Sequence, residues 1–164
     1  MLFRRNYCTA NDLSGYELSI SVCYEYIVKN CSKNVSILEY YSDPKAELTS
    51  RLKADGYCAC AHAFDPGFVE GVHKRDAEDS VYSVVVAVNL LNRVNPKRLN
   101  AIFGYLKDMI QPGGIGLLAY DTRGVAEVSL VIQRTLEPFK RFACVHNVSN
   151  NSDVYLWLLK NPMW

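Results

Sequence analysis

Residues 81–121 constrain this chain most, because their pattern is met only by a buried strand, a crossover helix and a second buried strand. Val81 to Val88 (V-Y-S-V-V-V-A-V) is a near-continuous β-branched run, the composition of a strand covered on both faces of a parallel sheet. Pro96 stands near the start of the next segment, where a helix tolerates a missing N–H. Leu99, Ile102, Phe103, Leu106, Met109 and Ile110 then recur at helical spacing, which predicts a helix with one face on a sheet. Gln111-Pro112-Gly113-Gly114 is expected to stop that helix, and Ile115 to Tyr120 (I-G-L-L-A-Y) to re-enter the sheet. Two buried parallel strands joined through a helix make a right-handed βαβ unit, so the class is α/β.

The rest of the chain extends the same alternation. Residues 1–12 read as an irregular lead-in and 13–164 as one domain. Ile20, Cys23, Tyr24, Ile27, Val28 and Cys31 mark one face of a helix from Leu13 to Cys31. Asn34 to Tyr40 predicts a first strand, and Asp43-Pro44 an N-cap and first helical residue for a helix running to Asp55 and ended by Gly56. Tyr57 to Phe64 predicts a second strand, and 68–80 a charged loop. Beyond the 81–121 unit, Val125 to Leu136 predicts a helix, and Phe139 to Val148 with Val154 to Leu159 an antiparallel hairpin. A parallel sheet that closes on an antiparallel hairpin is a restrictive topology, since a dinucleotide-binding domain would continue with parallel crossovers.

Composition excludes more than it assigns. A formal net charge of +1 gives no broad electrostatic footprint, so neither nucleic acid nor an anionic membrane is indicated as a partner. No apolar run approaches the ~18–20 residues of a membrane span. The opening residues M-L-F-R-R-N-Y-C lack an apolar secretion core, so the expectation is a cytoplasmic protein with free thiols. Cys58, Cys60 and His62 fall on one face of the second predicted strand, but no second ligand cluster is evident; small buried side chains are the preferred reading and no metal is expected. His62 and His146 fall in predicted strands, where a hydrogen-bonded structural histidine is the commoner case.

Several motifs resemble those of the class I S-adenosylmethionine-dependent methyltransferases over most of residues 13–164. That family also closes its sheet with an antiparallel hairpin, and its L-x-P-G-G ahead of the fifth strand is matched by Met109-Ile110-Gln111-Pro112-Gly113-Gly114. Leu91-Asn92-Arg93-Val94 is similar to the V-L-N-V-I of bacterial and phage methyltransferase-like proteins. Gly56-Tyr57 through Phe64-Asp65-Pro66 is similar to the segment that ends their second strand. The resemblance implies a Rossmann-like methyltransferase sheet. Only about sixteen residues separate Asp65 from Val81, too few for the family's helix, third strand and helix, so the third strand is expected to be missing.

The cofactor motif departs from the family. Glu39 supplies the acid that ends the first strand, but the three glycine slots of D/E-x-G-x-G-x-G hold Tyr41, Asp43 and Lys45. Glycine serves there because the backbone must approach the cofactor closely. Asp43 also sets a negative charge where the family holds the methionine carboxylate; at ~4 Å and an effective dielectric of ~20 the repulsion is on the order of 4 kcal/mol, less where solvent screens it or Lys45 pairs with either carboxylate. Asp65 stands where the resemblance implies an acid on the ribose hydroxyls, and it equally suits a turn cap in Asp-Pro-Gly. Asn89 and Asn92 lie at the carboxyl end of the fourth family strand, where the resemblance implies the catalytic motif. Neither an Asn-Pro-Pro-Tyr nor a Pro-Cys motif is present, and capping the following loop is the preferred role of Asn92.

Two functions follow from this reading. The first is a degenerate methyltransferase-like protein that binds a partner rather than catalysing. The alternative is an active, atypical S-adenosylmethionine-dependent methyltransferase using Glu39, Tyr41, Asp43 and Asp65 for the cofactor. A trimmed sheet would expose the second strand, inviting a protein partner or a second copy of the chain along that edge.

Overall fold

The computed structural model describes residues 10–42, 45–63, 80–90, 96–121, 137–145, 148–149, 151 and 153–163, with the backbone alone at 10–16, 41, 63 and 96–98. Helix α1 (Ala10–Asn30) leads into strand β1 (Ser36–Ser42), helix α2 (Glu47–Ala54) and strand β2 (Cys58–Ala63). Strand β3 (Tyr82–Val88), helix α3 (Pro96–Met109) and strand β4 (Ile110–Asp121) form the predicted crossover unit. A 3-10 turn (Glu137–Phe139) and strands β5 (Ala143–Val145) and β6 (Val154–Lys160) follow.

The six strands lie in the order β2-β1-β3-β4-β6-β5. β1 is parallel to β2 and to β3, and β3 to β4, while β6 runs antiparallel to both β4 and β5. The fold is thus the expected α/β sheet with an antiparallel closing pair, and β2 is its outermost strand among the described residues.

Two apolar layers hold the sheet. Ile37, Val84, Val86, Leu117 and Leu156 point to the face covered by Ile20, Cys23 and Ile27 of α1 and by Leu48 and Leu52 of α2. Leu38, Val85, Ala87, Leu118 and Leu159 point to the other face, under Leu99, Ile102, Phe103 and Leu106 of α3 and under Phe139. The β-branched run of β3 is buried from Val84 to Val88 because both layers meet on it.

Several boundaries differ from the sequence expectation. Helix α1 begins at Ala10, taking in the end of the expected irregular lead-in. Helix α2 begins at Glu47 rather than at Asp43-Pro44, and its N-cap, Ala46, has no side-chain cap of its own. Gly56 ends it as expected: at φ +86° its N–H bonds to Lys53 O at 3.0 Å and that of Tyr57 to Leu52 O at 2.9 Å, a Schellman closure. Gln111-Pro112-Gly113-Gly114 sits inside the span of β4, where pairing with β3 jumps from Tyr82↔Ile110 to Val84↔Ile115. Asn161 pins this excursion: its Nδ2 donates to Ile110 O at 2.8 Å, its O accepts from Gly113 N at 3.1 Å, and its N donates to Gly114 O at 3.0 Å.

The expected strand from Phe139 to Val148 is a correction of the same kind. Glu137–Phe139 forms a 3-10 turn, and among the described residues Ala143–Val145 pairs with β6 while the Val148 N–H donates to Leu156 O of β6 at 2.8 Å. Phe139 turns into the core instead, where its ring meets Phe103 and Phe142 edge-on at 6.0 and 5.4 Å. The expected helix at 125–136, most of the 68–80 loop and His146 lie outside the described residues.

Candidate functional site at the carboxyl ends of β1 and β3

Helix α2, which follows β1, covers one face of the sheet, whereas α3, which follows β3, covers the other. Their departure to opposite sides opens the sheet between the carboxyl ends of β1 and β3, the topological switch point at which open α/β sheets bind ligands. The register Glu39↔Val86 places Glu39, Tyr41, Ser42 and Asn89 around this point.

Glu39 is 1 % exposed and on the α1–α2 face. Its Oε2 accepts the Thr49 backbone N–H at 2.9 Å and the Thr49 hydroxyl at 2.7 Å. Thr49 is the third residue of α2, so a carboxylate from inside the sheet takes the place of the missing N-cap, and the helix dipole favours its charge. Burial, with the Glu39 charge adding to it, pushes the neighbouring Cys23 thiol far up.

The chain between β1 and α2 is built without glycine. β1 continues through Tyr41 and Ser42, with Ser42 paired to Ala63 and a bulge between Tyr40 and Ser42. Ser42 is 2 % exposed, and its hydroxyl makes no hydrogen bond among the described residues. Ala46 then takes the left-handed conformation at φ 45°, ψ 52°. Asn89 does the same at φ 55°, immediately after β3, and its N–H donates to Ala119 O at 2.7 Å. Among the described residues these are the two non-glycine positions of positive φ, and both flank the switch point. Each carries a backbone cost of about 1–2 kcal/mol, which the surrounding packing must hold.

Of the site residues expected from sequence, Glu39 and Asn89 come together here with the backbone of Tyr41, while Asp43, Asp65 and Asn92 lie outside the described residues. Sequence reasoning left out Thr49, Ala46 and Ser42. Thr49 carries no signal in one dimension, because its partner stands ten residues earlier on another element. His62 is buried, with its ring 5.3 Å from that of Tyr40. No group of three or more ligating side chains gathers among the described residues.

No model of a known protein family matches the chain, and no protein of curated function matches it. Solved structures do. A TehB-like S-adenosylmethionine-dependent methyltransferase from Corynebacterium glutamicum superposes with a TM-score of 0.66 at 9% identity, over 84% of this chain and 86% of that one. This is a class I, Rossmann-like methyltransferase fold. The magnesium protoporphyrin IX methyltransferase of Synechocystis, bound to S-adenosylhomocysteine, gives 0.66 at 9% identity over 97% of this chain and 92% of that one. The glycopeptide N-methyltransferase MtfA, complexed with sinefungin, gives 0.63 at 12% identity over 88% and 94%. At such identities the similarity is one of fold, and the chemistry of this methyltransferase-like chain rests on its own residues.

Proposed function

We propose that this chain is a degenerate class I methyltransferase-like protein that works by binding a protein partner and not by methyl transfer. The observation that carries this is the continuation of β1 through Tyr41 and Ser42. Where the resemblance implies a glycine turn open to a cofactor, the chain is still paired in the sheet and Ser42 is sealed from solvent. Tyr41, Asp43 and Lys45 replace the three glycines, and a Cβ at each slot opposes close approach of a ligand to the backbone. The residues present therefore do not fit S-adenosylmethionine. Glu39 is no counterargument, because capping α2 is a structural role that needs no cofactor.

The partner surface in this reading is the outer edge of β2, which has no further strand beside it among the described residues. Strand addition there would satisfy the backbone groups of Cys58–Ala63. Light scattering of the purified chain tests whether the occupant is a second copy; a dimer assigns it so, and a monomer leaves a different protein.

The alternative is an active, atypical S-adenosylmethionine-dependent methyltransferase, favoured by neighbours captured with S-adenosylhomocysteine or sinefungin and by Asn89 at the end of β3. Calorimetric titration with S-adenosylmethionine and S-adenosylhomocysteine separates the two. The degenerate reading expects no heat of binding, and a micromolar Kd overturns it. Tyr41→Gly with Asp43→Gly is expected to raise cofactor affinity if the rest of the pocket survives.

A further inference from the structure

We draw no further inference here: the strongest candidate, the buried Ser42 hydroxyl at the end of β1, which makes no hydrogen bond among the described residues, belongs to the switch-point site already described.

Discussion

The Glu39 carboxylate accepts both the backbone N–H and the hydroxyl of Thr49, at 2.9 and 2.7 Å, and so caps from β1 the helix that follows it. The bond pair joins the sheet to the first turn of α2 directly beneath the switch point. It explains how a helix whose N-cap is alanine begins where it does.

Removing that carboxylate is expected to destabilise the whole domain. Glu39→Ala should cost about 1.5–3 kcal/mol, the range for hydrogen bonds to a charged group. Thr49→Val keeps the backbone bond and loses only the hydroxyl, so about 1 kcal/mol is expected. Urea denaturation of the two variants checks the order; an unchanged midpoint for Glu39→Ala would sink the capping role.

Two glycines should respond oppositely to alanine. A Cβ on Gly114 would lie 2.8 Å from the Ser83 carbonyl oxygen and 2.9 Å from that of Gln111, both backbone atoms that cannot swing aside. Gly114→Ala is therefore expected to cost at least about 2 kcal/mol. Gly104, inside α3, has among the described residues no heavy atom beyond its own helix backbone within 4 Å of its would-be Cβ, and Gly104→Ala should stabilise by about 1 kcal/mol. Melting temperatures that move the same way in both variants would contradict the packing.

Stability should fall in alkali through Tyr120. Burial raises its phenol to about 12 against an ordinary value of 10.0, with the Trp157 indole partly opposing the shift. The folded state holds this proton longer than the unfolded chain, so the contribution is complete below pH ~10 and is lost as pH rises towards ~12. Tyr120→Phe is expected to flatten the dependence of the urea midpoint on pH in this window by up to about one proton. Parallel profiles for the two proteins would remove Tyr120 as the cause.

Thiol labelling should follow burial. Cys23 is 0 % exposed and its thiol is held protonated by burial and by Glu39, whereas Cys58 faces solvent. Brief iodoacetamide treatment is expected to modify Cys58 and to reach Cys23 only in denaturant, with peptide mass spectrometry as the readout. Native-state labelling of Cys23 at the rate of Cys58 would place α1 off the sheet.

Hydrophobic pattern alone made the scaffold legible. The run from Val84 to Val88 and the helical spacing from Leu99 to Met109 are local signals, because each residue's neighbours along the chain report the face it buries. Gly56 was readable for the same reason, since a left-handed cap is set within one turn of its helix. Phe139 was misread as strand because an isolated apolar residue does not say whether it pairs along an edge or turns into a core.

The α/β order, the parallel run of β1 to β4 and the antiparallel close are all written in the periodicity of the chain. The start of α2, the burial of Ser42 and the excursion at Gln111–Gly114 were decided only by tertiary structure. Glu39 meets Thr49, and Asn161 meets Ile110, across elements that are separate along the chain. Such polar bonds depend on where folded elements come to rest, and no local pattern encodes that position. The 81–121 crossover was plain in the chain itself; the switch point it shares with β1 existed only once α2 and α3 had packed on opposite faces.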